Sequence, residues 1–285
     1  MFDLRYHVAS LAAVFVALIV GILVGVGLAG SGVNKTDLSL AQAQRDDARA
    51  NLDAAQAQVA QLKKTSDAFE RAYPAMMRNL LTDKRVAVLF VGSADGGVKQ
   101  AIDNTLHDAG APPSVRMLSV SVPVNAESLD GVLTTKGAKF VKYVGDEKLD
   151  SLGNALGGEF VRGGQTPLWK ALGRQLIAER SGDAKQRVDG VVVVRTAKPQ
   201  QGGTARFLHG LYSGIASAGI PVVGVEKTGS SLSAVDVYRD HGLSAVDDID
   251  KTTGRAALAL LLAGAAPGAY GTGHGADAIL PNLSG

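Results

Sequence analysis

Arg85–Gly97 reads RVAVLFVGSADGG, an apolar run rich in β-branched residues that ends without alternation in a glycine-rich turn. A strand this evenly apolar is buried on both faces, as in a parallel sheet covered by helices. Gly97–Ala109 follows with Val98, Ala101, Ile102 and Leu106 on one helical side, and SVRMLSVSVPV (Ser114–Val124) reads as the next strand. Strand, turn, helix, strand is a right-handed βαβ unit. The alternation resumes at RVDGVVVVR (Arg187–Arg195), a helix over Thr204–Ala218, IPVVGVE (Ile220–Glu226), GLSAVDDID (Gly242–Asp250) and a helix over Thr253–Ala263 with Thr252 as its N-cap. Between these halves, Glu127–Thr134, Leu149–Leu156 and Leu168–Arg180 read as helices. Gly157-Gly158 and Gly163-Gly164 read as breaks, and KFVKYVG (Lys139–Gly145) as a strand. The expected fold of residues 84–285 is α/β, Rossmann-like and mainly parallel.

Upstream the period changes to that of helices. On a heptad frame from Asp37 to Leu81, Leu38, Leu52, Val59, Tyr73 and Leu80 fall at a, with Arg45 and Ser66 as polar exceptions. Ala41, Ala48, Ala55, Leu62, Phe69 and Met76 fall at d. Residues 31–83 therefore read as a coiled-coil stalk, with Leu52, Val59, Leu62 and Phe69 as its partner-binding positions. The alternative is one long helix packed back on its own domain. Pro74 should kink or restart this helix.

Further upstream, Val8–Gly30 (VASLAAVFVALIVGILVGVGLAG) carries no charge. As a helix its roughly 23 residues rise about 34 Å, enough to span a bilayer. Residues 1–30 thus read as a transmembrane anchor, with the bilayer as partner and a slight charge preference for a cytoplasmic N-terminus. The bulk of the chain would then be extracytoplasmic. A cleaved secretory signal is the other reading, with Gly27-Leu28-Ala29 as its cleavage site, but such signals have apolar cores of about 7–15 residues. Ala9, Ala13, Ala17, Gly21, Gly25 and Ala29 recur every fourth residue, a groove suited to self-association as a homodimer or homo-oligomer.

Composition removes several classes. The net charge is +2, 20% of residues are charged and 5% are aromatic, which leaves no basic, aromatic-lined surface for nucleic acid. Without cysteine there is no thiolate metal site, redox pair or disulfide. No G-x-S-x-G motif and no nucleophile beside a base are present, so no enzyme is expected and no catalytic residue is assigned.

Three stretches remain as candidate sites. The turn Gly92–Gly97 could hold an anion at a helix N-terminus, although Asp95 repels phosphate and G-x-G-x-x-G is absent. Asp247-Asp248-x-Asp250 places three acids at a strand's carboxyl end. Asp248 and Asp250 could ligate a hard cation, or the acids could cap the next helix. Tyr270-Gly271-Thr272-Gly273-His274-Gly275 sets one histidine among glycines, so that His274 either ligates a metal or bonds a backbone carbonyl. The other histidines show no ligand spacing.

RYHVASLAAVFVALIVGILVG (Arg5–Gly25), VDDID (Val246–Asp250) and YGTGHGA (Tyr270–Ala276) together resemble the actinobacterial MctB copper-transporter family, in an order that covers nearly the whole chain. The resemblance implies an envelope protein of copper transport or copper homeostasis, described as an outer-membrane pore. Members are also linked to cell separation and to control of cell-wall hydrolases through a coiled coil, which implies an envelope protein partner. Copper is the only cofactor or cargo it implies. Its motif positions here are Asp247, Asp248, Asp250, Tyr270, Gly271, Gly273, His274 and Gly275. The residues themselves point to a tethered scaffold. Outer-membrane barrels use alternating strands of about ten residues, which this chain does not offer. Copper(I) favours thiolate and thioether, and the only such side chains are Met1, Met76, Met77 and Met117.

Overall fold

The computed structural model describes residues 14–22, 35–273 and 275–282, with 35–38 as backbone only. The chain divides into two compact units, Met1–Ala68 and Phe69–Gly285. In the first, residues 14–22 are helical (α1) and exposed. Among the described residues no helix is long and apolar enough to cross a membrane. Of the run Val8–Gly30, residues 8–13 and 23–30 lie outside the described ones, and with them Ala13, Gly25 and Ala29. Ala17 and Gly21 lie within α1, and a Cβ at Gly21 would meet open space. Helix α2 (Lys35–Met77) carries Pro74 inside it without a break. Along its first part Leu40, Leu52, Val59 and Leu62 are exposed.

The second unit contains a seven-stranded sheet in the order β3-β2-β1-β4-β5-β6-β7. Strands β1 (Val86–Val91), β2 (Arg116–Val120), β4 (Gly190–Arg195), β5 (Val222–Val225), β6 (Ser244–Val246) and β7 (Ala269–Tyr270) are parallel, whereas β3 (Ile177–Gly182) is an antiparallel edge. This is a doubly wound sheet whose strand order reverses between β1 and β4. All six residues of β1 are buried, as its unbroken apolar run predicts. Its side chains alternate between two cores. Ala87, Leu89 and Val91 face one side, with α4 (Ala126–Thr135), α6 (Leu149–Arg162), α7 (Pro167–Leu176), α8 (Gly202–Ala216) and α9 (Val235–Asp240). Val86, Val88 and Phe90 face the other, with α3 (Gly96–Asp108) and α10 (Thr252–Ala263).

The last turns of α2 enter that second core. Tyr73 and Met77 are buried, Phe69 packs against the cluster, and Leu81 follows. The Tyr73 hydroxyl lies 3.1 Å from Asp108 Oδ2, the Arg255 guanidinium stacks 5.4 Å from the Tyr73 ring centroid, and Thr252 Oγ1 donates to Glu70 at 2.7 Å. The compact unit thus begins at Phe69, inside the stretch read as stalk.

Three expectations for the middle of the chain are corrected. Lys139–Gly145 is not a strand but a short helix, α5 (Ala138–Val141), and a turn, bracketed by Gly137 and Gly145 at positive φ. It has no strand beside it, and its one buried apolar anchor is Phe140. The helix expected to reach Arg180 stops at Leu176, and Ile177–Gly182 becomes the edge strand β3. IAERSG lacks a strand pattern because its side chains are almost all exposed, and the ladder with β2 holds it extended. Gly157-Gly158 does not break the chain. Both residues lie inside α6, where Gly157 permits a close crossing with α8. Thr252 occupies the first turn of α10, after the N-cap residue Lys251.

Candidate functional site

The two motifs at the end of the chain meet because β6 and β7 are parallel neighbours. Ala245 pairs with Ala269 and Val246 with Tyr270, so Asp247 and Gly271 emerge side by side at the carboxyl edge. The Asp247 N–H donates to the Tyr270 carbonyl at 3.1 Å. Its carboxylate turns across the strand and accepts from the Thr272 N–H at 2.9 Å and the Gly273 N–H at 2.8 Å. The glycines are demanded by this clamp. Gly271 sits at φ +137°, and a Cβ there would overlap Asp247 Oδ1 and come within 3.0 Å of Asp248 Oδ1. A Cβ at Gly273 would overlap Asp247 Oδ2. Tyr270 is buried and its hydroxyl donates to the Ala266 carbonyl at 3.0 Å. The Gly275 carbonyl accepts from Arg239 at 3.3 Å. His274 lies outside the described residues.

The other two acids serve different loops. Asp250 accepts from the Thr228 N–H at 2.7 Å and the Thr228 hydroxyl at 3.0 Å, tying down the segment after β5. Asp248 is fully buried; its Oδ2 accepts from the Thr253 hydroxyl at 2.9 Å in the first turn of α10, and its Oδ1 has no partner. Burial pushes the Asp248 carboxyl up to about 6, reinforced by the Asp247 and Asp250 charges and opposed by the Thr253 hydroxyl. Among the described residues no three His, Cys, Asp or Glu side chains cluster as a metal site. The arrangement is a carboxylate-pinned glycine loop, with one protonatable oxygen beneath it.

That oxygen makes stability depend on pH. The folded-state value lies above the unfolded one, so this contribution is full below about pH 4 and is lost as pH rises through about 6. Asp248→Asn mimics the protonated form and should raise stability by about 2 kcal/mol at pH 7.5, a gap that closes towards pH 4. Urea unfolding of both proteins across that range checks it; a gap that does not narrow on acidification would show that Asp248 titrates like an exposed carboxyl.

At the opposite half of the sheet, the turn after β1 holds no room for phosphate. Asp95 occupies the α3 N-terminus, accepting from the Val98 N–H at 2.8 Å, and pairs with Lys227 Nζ at 2.9 Å. A Cβ at Gly92 would lie 2.9 Å from the Ala197 nitrogen, so the loops after β1 and β4 close on each other. The chain's own carboxylate and ammonium occupy the α3 N-terminus, the point at which a phosphate would bind.

One association is absent from linear spacing. His209 on α8 and His241 after α9 approach with ring centroids 5.0 Å apart, and Tyr212 stands 5.1 Å from His241. They come from separate elements, so no i,i+4 signal announces them.

The strand order and the clamped loop define a doubly wound α/β protein with an elaborated carboxyl edge at β6 and β7. The family model of MctB, described as copper transport outer membrane protein, matches residues 1–281, and the chain belongs to that family. Comparison with curated proteins gave no match.

Proposed function

We propose that this chain acts in copper homeostasis at the cell envelope as a membrane-tethered, non-enzymatic protein. Residues 8–30 anchor it, and the α/β unit handles copper outside the cytoplasm. The family match across residues 1–281 carries this reading, since a copper-transport description applies to the whole chain rather than to one segment. His274 is the proposed copper contact, imidazole being a copper ligand. The test uses the full chain in detergent, titrated with copper(I) against a chromogenic chelator. About one equivalent should bind, and His274→Ala should weaken it at least tenfold. Binding no tighter than to an unrelated histidine-containing protein overturns the copper reading. A chain lacking residues 1–30 should leave the membrane fraction, and its retention there overturns the tether.

A second reading rests on α2. Leu52, Val59 and Leu62 are 55%, 65% and 69% exposed, an apolar stripe without cover along a helix with heptad spacing. Such a stripe suits a coiled coil with a second copy or with an envelope partner, as in the family's link to cell-wall hydrolases and cell separation. Sedimentation of the same preparation checks self-association: Leu62→Glu should shift an oligomer towards monomer.

A further inference from the structure

We infer that the pocket at the carboxyl ends of β1 and β4 binds a small organic carboxylate, independently of copper. In a doubly wound sheet, ligands settle where the strand order reverses, outside the carboxyl ends. The pocket lies there: Val91 ends β1, Arg195 ends β4, and both line a cavity of ≈ 180 Å³. Leu208 and Val237 supply apolar wall, and Lys198 stands among the residues that follow β4. For scale, an apolar cavity of about 150 Å³ admits benzene.

Three lining residues bring polar atoms that are buried and have no partner: Arg195 Nε, Tyr212 Oη and His241 Nε2. Buried polar groups are ordinarily paired, and three orphans around one cavity leave hydrogen bonds for a ligand to make. Their roles are set by their other contacts. The Arg195 Nη2 donates to the Ser233 carbonyl at 2.8 Å, which fixes the guanidinium and leaves the Nε–H as a free donor. Tyr212 is 2% exposed, and burial pushes its hydroxyl up to about 12, so it stays protonated and can donate. His241 Nδ1 lies 2.7 Å from the Val237 carbonyl, which only accepts; Nδ1 therefore carries hydrogen and donates there, and Nε2 is left as the ring's unpaired polar atom. Two donors and a third unpaired polar atom over apolar walls suit a carboxylate on a small ring.

Charge decides between an anion and a metal ion. The paired imidazoles of His209 and His241 could attract copper, but Arg195 and Lys198 line the same space and no acid does. Of the acids around it, Asp150 is engaged by His209 Nδ1 at 2.6 Å, and Glu226, whose charge acts on Arg195, accepts from the Ser233 hydroxyl and the Ala234 N–H. A cation entering would meet two positive charges, whereas a carboxylate would pair with them.

Calorimetry on the full chain in detergent, with a chelator present to remove copper, tests this. Benzoate and 4-hydroxybenzoate are the probes; benzyl alcohol is the uncharged control and inorganic phosphate the apolar-free one. Benzoate should bind with a sub-millimolar Kd and both controls at least tenfold more weakly. Tyr212→Phe should weaken benzoate about tenfold, while the melting temperature of the unliganded protein stays equal or rises because a buried orphan hydroxyl has gone. Lys198→Met should weaken it several-fold. No benzoate binding at millimolar concentration, equal binding of benzyl alcohol, tighter binding of phosphate, or an unchanged affinity in Tyr212→Phe would each overturn the inference. None of these outcomes bears on copper binding, which the chelator excludes from the measurement.

Discussion

Gly214→Ala should destabilise the α/β unit by about 3 kcal/mol or more, an effect far beyond that of a usual glycine-to-alanine change in a helix. Helices α6 and α8 cross with backbone against backbone. Gly153 and Gly157 of α6 face the backbone of α8, and Gly210 and Gly214 of α8 face that of α6. A Cβ at Gly214 would overlap the Asn154 carbonyl oxygen and lie 2.8 Å from the Asn154 Cα. One at Gly157 would overlap the Leu211 oxygen and lie 2.9 Å from the Ile215 nitrogen. These neighbours are main chain in two packed helices and cannot rotate away, so the helices must separate and open the core around Leu152, Leu156 and Leu211. Gly131→Ala is the matched control. Gly131 lies in α4 with nothing near a Cβ, so the change should stabilise by about 0.5–1 kcal/mol. Urea denaturation compares them, and a Gly214→Ala protein as stable as its parent would mean that the two helices can slide apart at little cost.

Asp247→Ala should cost about 2–4 kcal/mol, since it strips a buried carboxylate from two backbone donors at once. The Thr272 and Gly273 N–H groups would then lack acceptors in a loop shaped around that carboxylate. Hydrogen exchange at these two amides should quicken at least tenfold, while the amides of β1 and β4 respond only as far as global stability falls. Asp247→Asn keeps one acceptor oxygen and should fall between the two. If exchange at Thr272 and Gly273 is unchanged in Asp247→Ala, the β6–β7 pairing alone holds the loop.

Much of the sheet is legible in the order of residues alone. VAVLFV and GVVVVR are apolar on both faces, and only a parallel sheet covered by helices hides such runs. The edge strand IAERSG is masked by its exposure, because its extended form comes from a neighbour and not from its own pattern. Gly157-Gly158 shows a different gap: a glycine pair reads as a breaker unless the facing helix is known, and α8 lies some fifty residues on in sequence. VDDID and YGTGHGA stand out as motifs, yet that one grips the other follows from the β6–β7 pairing, which two-residue β7 scarcely announces. The Arg195, Tyr212 and His241 cluster joins three elements and has no linear signature at all.

The burial of Tyr73 and Met77 bears on how the chain can be cut. An excised fragment starting at the first strand would leave an apolar scar across α3 and α10, with Asp108, Thr252 and Arg255 all stripped of their partners on α2. The smallest self-sufficient piece therefore opens no later than Phe69, and a protease that nicks the helix beyond that residue would undermine the globule itself.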